Sequence, residues 1–225
     1  PGSASSLRRI EIRQHEREQL LRPALGQAAR ELLHPLLVAL GGLSNAVIGV
    51  AFRRRREAHE ERLQRELEHG TQQPGDEALE IDMDDFDYLK GSRSRLRLGA
   101  TLSRDEMLRL ALMASENRAA SSLARHYPGG TTAFVAAMNA KAASLRMSRT
   151  RYEDPTGLSP RNVSTANDLA RLVRAASDYP LIREYSTTPE HLVEVQSTGQ
   201  TLGFNNSNAL VKSGTWDIQL QKTGY

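Results

Sequence analysis

Apolar and polar positions along this chain follow a helical period through most of its second half and shift to a strand period near its end. In residues 103–126, SRDEMLRLALMASENRAASSLARH, the apolar side chains Met107, Leu110, Ala111 and Ala114 recur three and four apart, the spacing of one helix face. Ser103 and Glu106 make the S-x-x-E signature of a helix start, with Ser103 as N-cap and Glu106 at the third helical position. A further helix begins beyond Ala119, which places Ser115-Glu116-Asn117 at the junction of two helices. Residues 131–145 predict another amphipathic helix, ending before Arg146. Tyr152 to Pro160 is turn-rich, with Asp154-Pro155 and Thr156-Gly157 as breakers. Ser164 is placed to cap a helix running through Ala176. The period then changes, and HLVEV, TLGFNN and WDIQLQKTGY read as strands.

The first 70 residues have a different texture. Residues 7–34 are good helix formers interrupted at Pro23, and residues 53–69 form a charged helix with Glu and Arg three and four apart. Between them, PLLVALGGLSNAVIGVAF (residues 35–52) carries no charge over 18 residues and is followed by four arginines. Two readings are open: a membrane segment with a basic stop, or a buried helix, hinged or whole. The Gly41-Gly42 pair, Ser44-Asn45, Gly49 and the minimal length favour the buried helix. The arginine run would also face the cytoplasm, which conflicts with what the second half implies below. No signal peptide is visible, because the apolar run starts late and no small-residue cleavage site follows it.

Composition sharpens that seam. Residues 1–70 contain 12 Arg and 9 Glu, four of the six His, and no Lys, Asp, Thr, Tyr or Trp. Usage from residue 71 onward is ordinary. A fused foreign helix, a lineage-specific extension and a stretch read out of frame would each give this contrast. The opening Pro1-Gly2-Ser3 resembles a vector-derived scar and is left out of fold reasoning. The expected organisation is therefore an Arg/Glu-rich helical segment, 1–70, and a second unit, 71–225.

Charge and chemistry exclude several functions. The net charge of +3 sits in the first segment, and aromatic residues are only 5%, so neither a basic face nor a stacking platform for nucleic acid is present. The absence of cysteine rules out disulfides and thiolate metal sites. The histidines lack metal-ligand spacing, His59 and His69 fall on a charged helix, and the acidic run Asp82–Asp87 lacks the glycine and terminal glutamate of a calcium loop. No cofactor and no metal are expected.

Two short motifs remain: Ser115-Glu116-Asn117 reads S-x-N and Lys222-Thr223-Gly224 reads K-T-G. Alone each is weak, and helix capping or a turn glycine would explain them. They stand among five ordered blocks: KGSRSRLRLG (90–99), EMLRLALMASENRAASSLARHYPGG (106–130), DPTGLSPRNVSTANDLARL (154–172), FNNSNALV (204–211) and WDIQLQKTGY (216–225). Together these blocks resemble the low-molecular-mass penicillin-binding proteins, the serine D-Ala-D-Ala peptidases, and within them the D-alanyl-D-alanine endopeptidase branch. The resemblance covers residues 71–225 only.

The resemblance implies an α+β fold, a partial β-lactamase/DD-peptidase-like domain with a helical cluster and antiparallel strands, preceded by the helical segment. It implies acyl-enzyme chemistry on peptidoglycan peptides, with β-lactams as ligands, in the periplasm. Ser115 would belong to a proton-relaying hydroxyl network, Asn117 would bond substrate backbone and a lysine, and Lys222 would draw the substrate carboxylate. Thr223 would add a directed hydrogen bond, Gly224 close approach, and the Tyr225 N–H half an oxyanion hole. The family's S-x-x-K nucleophile is missing: Lys90, Lys141, Lys212 and Lys222 are each preceded at that spacing by a residue other than serine. Its expected place, about residues 55–61, reads R-R-E-A-H-E-E. Ser115 has no base beside it in the sequence, so an inactive site is expected. The family's further C-terminal strands and helix are also not found after Tyr225, so the K-T-G strand would present an open edge. Homo-oligomers through that edge or through residues 7–69 are the expected partners besides peptidoglycan peptide or β-lactam. The competing reading is a helical interaction module fused to a truncated, non-catalytic penicillin-binding fold.

Overall fold

The computed structural model describes residues 75–88 and 90–223. The expected helices of residues 7–34 and 53–69, the apolar run 35–52, the R-R-E-A-H-E-E stretch, Gly224 and Tyr225 lie outside the described residues. Strand β1 (Ala78–Glu80) pairs antiparallel with β2 (Thr101–Ser103), with Leu79 opposite Leu102 and both side chains fully buried. Ser103 ends β2 and caps α1 (Arg104–Met113), its Oγ accepting from Glu106 N–H at 3.2 Å. Only half of the expected capping box forms. Ser103 is already paired with Ala78 in the ladder, and Glu106 turns instead to His191 Nε2 at 2.8 Å.

Helix α1 is the centre of the core. Met107, Leu110 and Ala111 are buried as the spacing predicts, and Leu108, Leu112 and Met113 are buried as well, so the helix is covered on most sides. Helix α2 (Asn117–Arg125) and α3 (Gly130–Ser144) follow, joined by a turn that needs Gly129. Its φ is +87°, and a Cβ there would meet Ala133 Cβ at 2.8 Å. Tyr127 and Phe134 pack edge to face across this turn, with ring centres 5.4 Å apart. On the outer side of α2, Arg125 pairs at 2.9 Å with the buried carboxylate of Asp85, which belongs to a short 3-10 turn (Met83–Asp85).

The Asp154-Pro155-Thr156-Gly157 breaker closes as a side-chain-bonded loop, in which the Asp154 carboxylate accepts from Gly157 N–H at 2.9 Å and Thr156 Oγ1 at 2.7 Å. Helix α4 (Ala166–Ser177) starts one residue later than expected. Thr165 is its N-cap, bonded to Asp168 N–H at 3.3 Å, while Ser164 Oγ pairs with Thr150 Oγ1 at 2.7 Å. Helix α5 (Pro180–Ser186) has its proline at the first position, where no N–H is needed.

Strands β3 (Glu190–Val195) and β4 (Gln200–Asn205) form a hairpin, as HLVEV and TLGFNN predict, with Val193 opposite Leu202. Val193, Val195 and Phe204 face the core. Gln196 N–H donates to Thr101 O at 2.8 Å, tying the hairpin to β2. Helix α6 (Ala209–Ser213) is capped by Asn208. These elements make an α+β domain.

The third expected strand is a correction. Trp216 to Thr223 forms no strand, because no strand of the described residues runs beside it to share a ladder. The strand edge expected through Lys222-Thr223 is therefore not formed. Side chains pin the segment instead: Gln221 is buried and donates from Nε2 to Ser186 O at 2.9 Å. Among the described residues no helix is long and apolar enough to cross a membrane.

Candidate active site

The way α1 ends builds the S-E-N tripeptide. Ala114 N–H returns to Leu110 O at 3.1 Å and Glu116 N–H reaches the same carbonyl at 3.3 Å. This reversal holds Ser115 at φ 55°, the left-handed region normally taken by glycine or asparagine. The conformation costs a serine about 1 kcal/mol or more, and such strain persists where surrounding contacts over-determine the residue. Glu116 is the N-cap of α2 and accepts from Arg118 N–H at 3.2 Å. Burial pushes its carboxyl pKa up, against the pull of Ser94 and Arg118. Asn117, the first helical residue, donates from Nδ2 to Ser92 Oγ at 3.0 Å.

Lys222 and Thr223 meet this turn from the far end of the chain. Lys222 Nζ donates to Ser115 Oγ at 2.7 Å and to Thr223 O at 2.9 Å. Ser115 Oγ lies 2.7 Å from Thr223 Oγ1, Thr223 Oγ1 donates to Ser207 Oγ at 2.8 Å, and Ser207 Oγ donates to Met113 O at 3.2 Å. The two ends fix the direction of the whole chain. An ammonium can only donate and a carbonyl can only accept, so Ser115 donates to Thr223. Each hydroxyl in the row accepts one hydrogen bond and passes one on, which polarises the row cooperatively.

Lys222 as a residue keeps partial exposure, but its ammonium end lies deep among protein atoms. Burial pulls its pKa down from the usual 10.5 to about 8. Among the described residues no carboxylate forms an ion pair with it, and no group of His, Cys, Asp and Glu side chains could hold a metal. A desolvated cation beside three polarised hydroxyls can hold a carboxylate and can move a proton along the row.

Ser115, Lys222 and Thr223 are thus brought together, and Asn117 stands two residues from Ser115 on the adjoining helix. Gly224 and Tyr225 are not described. One expectation is corrected: Ser115 does have a base beside it. The contact joins residues 107 positions apart, so no local pattern could reveal it. Ser207 and Ser92 were missed for the same reason. Ser207 stands between two asparagines that build the turn into α6, with Asn206 Oδ1 accepting from Asn208 N–H at 2.9 Å. Its block was visible in the sequence, but its role was not.

A profile of the D-alanyl-D-alanine carboxypeptidase family matches residues 71–225. The D-alanyl-D-alanine endopeptidase of Pseudomonas aeruginosa is 55% identical over 152 residues, covering 68% of this chain and 49% of that protein. The D-alanyl-D-alanine endopeptidase of Escherichia coli is 54% identical over the same length and with the same coverage. The chain therefore spans about half the length of the curated relatives it matches. In fold it is similar to the Streptomyces K15 DD-transpeptidase, with TM-score 0.59 and 20% identity, covering 85% of this chain and 67% of that one.

Proposed function

We propose a function on one premise: the chain belongs to the D-alanyl-D-alanine carboxypeptidase family. It carries a serine-type D-Ala-D-Ala peptidase domain, which we take to be residues 71–225, set after a separate Arg/Glu-rich helical segment, 1–70. The domain recognises peptidoglycan peptides ending in D-Ala-D-Ala, or β-lactams that mimic them, on the periplasmic side, and it does not acylate. The observation that carries this reading is the buried Lys222 ammonium donating at 2.7 Å to Ser115 at the head of a hydroxyl row.

Each residue has a role in recognition. Lys222 supplies positive potential for the ligand carboxylate, at a site where burial strengthens the attraction. Thr223 gives that carboxylate a directed hydrogen bond. Ser115 links the ammonium to the row, and in a complete site would pass a proton toward the leaving amine. Asn117 presents its amide to the ligand backbone. By the family resemblance, Gly224 would allow close approach of the ligand and the Tyr225 N–H would serve as an oxyanion donor.

The acylating step needs a serine with a lysine three residues on, and none of the 225 residues fits that pattern. Loss of the nucleophile from such a constellation costs on the order of 10⁶ in rate. Titration of the chain with a tripeptide ending in D-Ala-D-Ala tests recognition. Saturable binding that is lost in Lys222→Met supports it, and no binding to the folded protein contradicts it.

A second reading draws on the same contact. With Lys222 near pKa 8, neutral amine is available at mildly alkaline pH to take the Ser115 proton. Ser115 Oγ would then attack the β-lactam carbonyl, the C–N bond would break, and the proton would pass to the leaving nitrogen. A penicillin adduct mapped to Ser115 separates this reading from the first.

A further inference from the structure

Behind the hydroxyl row lies a buried polar knot that the site's chemistry does not use. Ser186 is the last residue of α5 and is fully buried, and its carbonyl is one of those a helix leaves without an internal partner at its C-terminus. Two buried carboxamides share it. Asn206 Nδ2 donates to Ser186 O at 2.8 Å and to Thr188 O at 2.8 Å, and Gln221 Nε2 donates to Ser186 O at 2.9 Å. Carbonyl oxygens only accept, so the nitrogen end of each amide is fixed without ambiguity. Each carboxamide stands one residue before a member of the row: Asn206 before Ser207, Gln221 before Lys222. Ser207 N–H donates to Met113 O at 2.8 Å, and Gln221 Nε2 also reaches Leu112 O at 3.5 Å. The ends of α1 and α5 therefore converge on the same knot.

The segment that carries Lys222 has no ladder to fix its place. Between Trp216 and Thr223 only Leu220 and Gln221 are buried, and Gln221 is the one of them with a side chain that can bond. Its amide is not explained by burial. Gln221 Oε1 is buried and meets no donor among the described residues, an unfavourable state that an apolar side chain of the same length would avoid. What the amide alone supplies is the Nε2 bond to Ser186 O, and that bond sets where Lys222 begins.

We propose that Gln221 and Asn206 are positioning residues of this site: by sharing the Ser186 carbonyl, their carboxamides set Lys222 and Ser207 at the two ends of the hydroxyl row, with the Lys222 ammonium held inside the protein for the ligand carboxylate. This rests on the recognition function proposed above.

The test uses the full chain. In the wild type, the Gln221 side-chain amide protons are followed by NMR exchange, and exchange as fast as that of a free glutamine overturns the proposal before any variant is made. The variants are Gln221→Met and Gln221→Leu, which remove the donor and keep an apolar side chain in its place. Two readouts are taken on each, with urea melts to show that it is folded: the titration midpoint of Lys222 from its ε-carbon NMR signal, and the Kd for a tripeptide ending in D-Ala-D-Ala. The wild-type midpoint is expected near 8. In the variants it should move toward the ordinary lysine value by about half a pH unit or more, a 3-fold change in proton affinity, as the ammonium gains access to water. Tripeptide binding should weaken by about 3- to 10-fold, the worth of one neutral hydrogen bond. An unmoved midpoint overturns the proposal whatever the melts or the Kd show, since the amide then acts on stability and not on Lys222. A moved midpoint with undiminished binding overturns it as well. If the midpoint moves and the wild type binds no tripeptide, the positioning stands and the recognition function fails.

Discussion

Among the described residues no carboxylate pairs the Lys222 ammonium, and this has a consequence for stability against pH. Each pKa unit is worth about 1.4 kcal/mol, so a fall from the usual 10.5 to about 8 corresponds to about 3 kcal/mol. The sign follows from proton binding. Below pH 8 the lysine is charged in both folded and unfolded states, and the full cost of burying the ammonium is carried. Between pH 8 and 10.5 the folded state has released its proton while the unfolded state keeps it, so stability rises with pH. Above that window both states are neutral and the gain is complete. Other groups titrate nearby, so the quantity to follow is a difference: unfolding free energy of the wild type minus that of Lys222→Met, from urea melts at pH 7, 8, 9 and 10. It should climb with pH, by roughly 2–3 kcal/mol across the series. The buried Tyr152 phenol, whose pKa burial pushes up, is common to both proteins and cancels. A flat or falling difference would mean that the ammonium is solvated, and that the site lacks the desolvated cation on which carboxylate recognition rests.

Four further outcomes follow from the same structure. Binding of a carboxylate ligand supplies the missing counter-charge, so a D-Ala-D-Ala tripeptide should take up protons at pH 8–9, seen as a buffer-dependent binding enthalpy; no buffer dependence would place the ligand elsewhere. Ser115→Gly should be more stable than Ser115→Ala by about 1 kcal/mol, because both lose the hydroxyl and only glycine is relaxed at positive φ; equal melting temperatures would refute the strain. Gly129→Ala should lose about 1–2 kcal/mol or more from its left-handed φ and the collision with Ala133, and unchanged melts would remove that turn from the fold's requirements. Arg125→Met should cost on the order of 3 kcal/mol, since it leaves the buried Asp85 carboxylate unpaired, and a loss well under that would show that solvent reaches Asp85.

What could be read in the sequence was local, and what could not was carried by packing. The α1–α2 junction was visible because Ser103 and the Met107, Leu110, Ala111 spacing mark one helix and the S-E-N tripeptide interrupts it. The hairpin was visible because HLVEV and TLGFNN alternate and Gly199 stands in the turn between them. WDIQLQ alternates just as well, yet a strand also needs a neighbour, and alternation says nothing of one. Ser164 and Thr165 are adjacent hydroxyl residues with equal claims to cap α4; the choice fell to Thr165 because Thr150 engages Ser164. The chemistry depended on distance in sequence. Ser115 and Asn117 belong to a recognisable motif, but the Lys222 contact, the Ser207 end of the hydroxyl row and the Ser92 contact join residues 107, 92 and 25 positions apart from the S-x-N turn. Glu106 shows the opposite error: its capping-box position was correct, and His191, brought in from β3, redirected its side chain.

The most direct test of recognition without acylation is intact-mass spectrometry of the folded chain after incubation with a penicillin at pH 7 and at pH 9. The predicted result is an unmodified mass at both, from a sample that still binds the D-Ala-D-Ala tripeptide. A stable adduct of one penicillin mass would contradict it and establish an activated nucleophile in this chain, and peptide mapping would then ask first whether it is Ser115.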